Sequence, residues 1–174
     1  MNTRARHVLV VCSAFAANYG LDRLTKILAE AFLRGRRGFS FLLDTVVLRY
    51  TENSGAFLSL GAGWPLWIKY AVLLVAPMIL CLYGVYHCLF RERDLLKAVF
   101  MASAIAGGLG NLVDRLLNGF MVIDFLNFGI GNLRTGVLNV ADLSITFGAI
   151  AWLIRDRILS SRAANPPATP TLHD

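Results

Sequence analysis

Hydrophobic positions in this chain gather into four long runs, and charged residues cut most of them short. The first run, from Val8, holds 14 uncharged residues before Asp22 interrupts it. A helix needs about 20 residues to cross a hydrocarbon layer. This run therefore spans a membrane only if Asp22, Arg23 and Lys26 belong to its far end, over about 8–28. The second run, 64–90, is the clearest: Trp64 and Trp67 mark one interface, and Tyr83, Tyr86 and His87 lie toward the other. Pro77 predicts a kink in it. The third, about 97–117, has 16 uncharged residues from Ala98 to Val113 and reaches full length only by taking in Asp114 and Arg115. The fourth, about 137–157, carries Asp142 near its start and closes on Arg155, Asp156 and Arg157.

The stretches between the runs have a different pattern. The first helix is expected to continue as an interfacial piece to Phe32 and to stop at Gly35, with Arg34, Arg36 and Arg37 among lipid headgroups. Thr45 to Thr51 is β-branched and aromatic, the composition of a strand. Glu52-Asn53-Ser54-Gly55 is a turn signal, and Gly61-Ala62-Gly63 closes the segment. Arg91-Glu92-Arg93-Asp94 is a tight charged loop, and 118–136 reads as a connection rich in Gly, Asn and Phe. The pattern predicts an all-α polytopic membrane protein with four transmembrane helices. A small extracytoplasmic β-sheet is expected between spans 1 and 2, lying on the membrane surface. Residues 1–159 form one membrane-embedded domain in this reading, and 160–174, with Pro166, Pro167 and Pro170, form a disordered tail.

Composition strengthens the membrane reading. The chain is 56% hydrophobic and only 16% charged, where an ordinary soluble domain carries about 25% charged residues. The net charge of +6 is scattered between apolar runs rather than clustered on one face. That argues against nucleic acid and for anionic lipid headgroups as partners. Cys12, Cys81 and Cys88 lie in apolar runs without metal-ligand spacing and read as reduced thiols. Leu9-Val10-Val11-Cys12 is a poor lipobox, since its apolar lead is short and Val11 is bulky. The apolar run continues past Ala16 to Leu21, which favours an uncleaved span over a signal peptide. The short basic loop and both basic tails favour cytoplasmic termini.

The chemistry follows from where the carboxylates fall. Asp22, Asp114 and Asp142 lie at the span ends opposite the termini, and Asp124 and Asn53 lie in the connections on that side. An ionisable group at membrane depth is costly, so each is a candidate for function. Two carboxylates brought close share a proton and supply an acid and a base together. Asp124 and Asp142 are the best candidates for such a pair. Asp142 has a structural reading as well: Asn139 is a good N-cap, and Asp142 would complete a capping box. Asp114 and Arg115 read as an ion pair ending a helix, and Asn111 as a residue that bonds across helices or orients an aspartate. Gly107, Gly108 and Gly110 suit close helix packing. His87 reads as an interfacial histidine. No metal constellation, Ser-His pair or Cys-His pair is present in the pattern, and no cofactor is expected.

Several motifs fall in one order and spacing: Asp22-x-x-Thr25-Lys26, Asn53-Ser54-Gly55-Ala56, the run from Gly107 to Arg115, Val122-Ile123-Asp124-Phe125 and Asn139-Val140-Ala141-Asp142. Together they resemble the bacterial lipoprotein signal peptidases (signal peptidase II) over nearly the whole chain. The resemblance implies an aspartic endopeptidase of the inner membrane. Its substrates would be diacylglyceryl-modified prolipoproteins, cut just before the lipid-bearing cysteine. Asp124 and Asp142 match the two catalytic positions. Asn53, Gly108, Asn111, Asp114, Arg115 and Asn139 match positions that support the site or the substrate, and Asp22 an accessory one. The chain departs from the family pattern at Arg23, where glutamine is usual, at Phe57, one place early, and at Leu143, where serine is common. The partners expected are the lipidated precursors and membrane lipids, with the chain a monomer. The competing class is a non-catalytic lipopeptide-binding protein or small transporter, but no internal repeat supports a transporter.

Overall fold

The structure is a computed structural model, and it describes residues 2–56 and 59–164. The expectations that fall on Phe57 and on the tail beyond Ala164 lie outside the described residues. The helices are α1 (Thr3–Leu33), α2 (Leu66–Phe90), α3 (Leu95–Leu117) and α4 (Val140–Ala164). Each coincides with one apolar run. Of the four, α2 and α3 are long and apolar enough by composition to cross a membrane. Helices α1 and α4 are longer or as long, at 31 and 25 residues, but carry more charge. Helix α1 is continuous to Leu33, one residue beyond the expected end at Phe32. Thr25 satisfies its hydroxyl on the Leu21 carbonyl at 2.8 Å, so it causes no break. Helix α4 stays helical through Ala164, past the boundary at 160 drawn from composition.

Helix α2 is interrupted, but by a π-helical stretch at Tyr70–Val75 just ahead of Pro77. Proline offers no N–H to the Leu73 carbonyl one turn back, and the wider turn absorbs the mismatch. The stretch brings Leu73 and Pro77 to the wall of the cavity described below.

The sheet corrects the sequence reading. Its order is β1 (Phe39–Phe41), β2 (Val46–Asn53), β3 (Val122–Ile130), β4 (Leu133–Arg134), all antiparallel. Strands β1 and β2 come from the connection between α1 and α2, as expected. Strands β3 and β4 come from the α3–α4 connection, which the sequence presented as irregular. A lone hairpin is marginal in water, and here β2 gives β3 a partner, with Val46 opposite Phe128 and Asn53 opposite Val122. Phe125 then packs with Ala29 and Leu33, so the sheet covers the end of α1.

Helix α3 is the centre of the bundle. Val11, Cys88, Ala98, Ala102 and Ile105 join α1, α2 and α3 in one core. The other end of the bundle carries the start of α1, the α2–α3 loop and the later turns of α4. There His7 bonds the Cys88 carbonyl at 3.0 Å, and Arg155 pairs with Asp94 at 2.7 Å. The α3–α4 contact depends on Gly107, where a Cβ would stand 2.4 Å from the Ala141 carbonyl oxygen. Gly107→Ala is therefore expected to lower the melting temperature in detergent, at a cost of about 1–3 kcal/mol for overpacking. Gly20, with nothing within 4 Å of its Cβ position, is the control. Gly20→Ala should leave stability level or slightly raised, and equal melting points for the two variants would contradict the packing account.

Candidate active site

The polar residues that the apolar pattern isolates converge at the sheet end of the bundle. Asn139 is the hub. It caps α4 through a reciprocal pair, as its spacing to Asp142 predicts: its Oδ1 accepts the Asp142 N–H at 2.9 Å, and its own N–H donates to Asp142 Oδ2 at 3.2 Å. Its Nδ2 group donates to Asp124 Oδ1 at 2.7 Å, to the Ile123 carbonyl and to Asn111 Oδ1. One residue thus holds both candidate carboxylates, Asp124 through its side chain and Asp142 through its main-chain N–H.

Two further asparagines complete the hold. Asn53, at the end of β2, donates to Asp124 Oδ2 at 3.0 Å. The β2–β3 pairing, with Thr51 opposite Asp124, brings it there. Asn111, on α3, donates to Asp142 Oδ1 at 2.9 Å. Each amide is oriented by a partner with a single role. The Gly55 N–H donates to Asn53 Oδ1, Lys26 donates to Asn111 Oδ1, and the Asp142 N–H donates to Asn139 Oδ1. The three NH₂ groups must therefore face the carboxylates. Both oxygens of each aspartate accept an N–H, an arrangement that suits the ionised form. Burial opposes it. Burial pushes the Asp124 carboxyl up to about 7; the nearby Asp142 adds to the rise, and the Asn53 and Asn139 donors offset part of it.

Behind the asparagines lies a cluster of charged side chains. Lys26 is fully buried, and its ammonium meets Asp114 Oδ2 at 2.8 Å, Asn111 Oδ1 at 2.9 Å and Asp22 Oδ2 at 3.0 Å. The last is an ion contact rather than a well-aligned hydrogen bond. Arg23 meets Asp114 Oδ1 at 2.5 Å. Asp22 Oδ1 accepts the Ala141 N–H at 2.9 Å, satisfying a donor of the first turn of α4. Gly110 leaves room for Asp22, since a Cβ there would stand 2.4 Å from Asp22 Oδ2. Asp22 and Asp114 therefore build the scaffold and do not open into the cavity.

Arg115 is not the partner of Asp114 that adjacency suggested. A helix turns by about 100° per residue, so neighbours point apart. Asp114 faces α1, while Arg115 donates to the Gly55 carbonyl at 2.6 Å and to the Asn111 carbonyl at 3.2 Å. Among the described residues Arg115 makes no ion pair, and its buried Nε has no partner.

Asp124, Asp142, Arg115, Asn53 and Asn111 line one cavity of about 220 Å³, with Gly108 at its wall. Leu73, Pro77, Leu112 and Ile145 give that wall an apolar side. Every site residue singled out from the sequence lies in or directly behind this cavity. Two were missed as contributors: Lys26, read as a span end, and Arg23, read as a departure. The Asp22–Lys26 spacing of i, i+4 was the available signal. Among the described residues no group of three or more His, Cys, Asp or Glu side chains is placed to hold a metal. Two carboxylates over one cavity can move a proton to and from a bound molecule.

The comparisons with known proteins agree in direction. The family model described as signal peptidase (SPase) II matches residues 14–157. The lipoprotein signal peptidase of Burkholderia cenocepacia is 34% identical over 145 residues, which covers 82% of this chain and 84% of the relative. That of Borrelia duttonii is 29% identical over 149 residues, covering 83% and 87%. A solved structure titled as a bacterial membrane enzyme has the same fold, with a TM-score of 0.73 at 22% identity over 95% of this chain and 94% of that one.

Proposed function

This chain belongs to the signal peptidase II family, and from that membership we propose that it is an intramembrane aspartic endopeptidase. Its substrates are prolipoproteins carrying a diacylglyceryl group, and it cuts the bond before the lipidated cysteine. The observation that carries the reading is the joint hold of Asn139 on Asp124 and Asp142 at a single cavity. In the mechanism, one carboxylate takes a proton from water as its oxygen attacks the scissile carbonyl carbon. The other, protonated, gives its proton to the carbonyl oxygen. The tetrahedral intermediate then collapses: the C–N bond breaks, the leaving amine takes the proton held by the first carboxylate, and the second carboxylate takes back a proton from a hydroxyl of the intermediate. Arg115, with an unmet N–H beside the cavity, is suited to hold a peptide carbonyl. Leu73, Pro77 and Ile145 suit the apolar surroundings of a lipidated residue.

The same reading places the molecule in the cytoplasmic (inner) membrane as a monomer, with residues 1–159 as one domain. All four helices cross, both termini face the cytoplasm and the site lies near the extracytoplasmic face. The large apolar side chains exposed on the outer faces of the helices support this: Ile27, Leu80, Leu82, Phe147 and Leu153 are each more than half exposed. In water such a surface would aggregate; in lipid it is solvated. The test is cleavage of a synthetic diacylglyceryl-modified precursor by the purified protein, beside the same peptide without lipid. Cleavage restricted to the lipidated peptide is expected.

A pH-dependent stability should accompany the site. Asp124 binds its proton more tightly folded, with a pKa near 7, than unfolded, near 3.8. Between those values the folded state holds more protons than the unfolded, so stability falls as pH rises through the window. Its contribution is full below about 4 and lost above about 7. The melting temperature of the native protein should fall more steeply between pH 5 and 8 than that of Asp124→Asn, and parallel curves would contradict the assignment.

A further inference from the structure

Counted at the ordinary charges of their side chains, the residues of the buried cluster behind the site sum to zero only with Arg23. Asp22, Asp114 and Lys26 have side chains with no exposure at all. Two carboxylates and one ammonium leave a net charge of −1 in a place that water does not reach. An uncompensated buried charge is costly and acts over a distance, because little screens it. Arg23 brings the sum to zero through Asp114 Oδ1 at 2.5 Å, and its guanidinium also donates to the Gly110 carbonyl at 3.3 Å. Its side chain is 23% exposed, so it stands at the edge of the cluster.

The cluster reaches the site by two routes. Asp114 Oδ2 accepts the main-chain N–H of Ile123, the residue before Asp124, at 3.3 Å. Lys26 holds Asn111 Oδ1, and the Asn111 NH₂ holds Asp142. A change in the charge of the cluster is therefore felt at both carboxylates. We propose that Arg23 is a positioning residue for the Asp124–Asp142 pair: by pairing with Asp114 alongside Lys26 it fixes the Asp114 bond to the Ile123 main chain, next to Asp124, and sets the pH at which the pair ionises. The inference rests on the proposed peptidase reading. A plain surface ion pair would contribute stability and nothing else.

The test is the pH profile of kcat/KM for cleavage of the lipidated precursor by the full chain in detergent, with native, Arg23→Gln and Arg23→Lys proteins. The charges nearest the pair are Asp22 and Lys26 from α1, Arg115 from α3 and each aspartate of the pair from β3 and α4, with Asp114 and Arg23 one contact further out. Removing the Arg23 cation leaves the surroundings more negative, so the first carboxylate ionises less readily. In Arg23→Gln the acid limb should move to higher pH, by on the order of half a unit. The value of kcat should fall several-fold with KM unchanged, and Arg23→Lys should restore the native limb. Glutamine is the residue usual in proteins that this chain resembles, so the variant is expected to fold. The double variant Arg23→Gln/Asp114→Asn restores neutrality and should return the limb toward its native position. Superimposable limbs for native and Arg23→Gln would overturn the inference, whatever happened to the melting temperature. Absence of cleavage by the native chain would overturn the peptidase reading and this one with it.

Discussion

Asp124→Asn and Asp142→Asn should each reduce cleavage of a lipidated precursor to background, a loss of at least about 10³-fold. Each change keeps the shape of the side chain and removes its capacity to take or give a proton. Asp142→Asn keeps an oxygen for the Asn139 N–H, so the cap of α4 survives, at a cost of about 1 kcal/mol or less. Asp124→Asn sets an NH₂ against one of two donors, Asn53 and Asn139. Asp142→Asn likewise sets an NH₂ against the Asn111 donor once its oxygen serves the Asn139 N–H, so each variant loses one such bond while the fold remains. Members of a catalytic pair act together, so the double variant should be scarcely worse than either single one. Single-turnover assays beside melting curves separate lost chemistry from lost protein. Near-normal turnover by either folded variant would remove that aspartate from the pair.

The second large effect is on folding. Lys26→Met should cost roughly 3–5 kcal/mol, because it leaves Asp22 without its cation and takes one of two cations from Asp114. For a chain of this size that is a fall of about 10 °C or more in melting temperature. Asn111 would also lose the donor that orients it, so Asp142 would be held less well. Asp114→Ala belongs to the same class, since it strands Arg23, takes one of two carboxylates from Lys26 and releases the Ile123 N–H. The measurement is the yield of monodisperse protein and its melting temperature in detergent. An unchanged melting temperature for Lys26→Met would refute the structural role of the cluster.

Much of this was legible in the sequence because lipid is a severe solvent. An apolar run that ends in Asp22, Asp114 or Asp142 has few soluble explanations, and each of those residues is where a helix meets the polar centre. The Asn139–Asp142 cap follows from local spacing alone and was readable for that reason. Features set by long-range contact were not. Strand β3 exists because β2, some 70 residues earlier, pairs with it. Neighbouring residues suggested a bond between Asp114 and Arg115, but the helix sends one toward α1 and the other toward Gly55. Arg23 appeared as a lone departure, and only the packing of α1 on α3 shows what its charge answers.

The central claim is that Asp124 and Asp142 together hydrolyse one bond beside a lipidated cysteine. Its most direct test is mass spectrometry of the products formed by the purified native chain and by Asp124→Asn from a diacylglyceryl-modified precursor. The account predicts two products with the native chain, a signal peptide ending at the residue before the cysteine and a lipopeptide beginning with it, and neither product with the variant. A cut at another bond, or equal amounts of product from the variant, would contradict it.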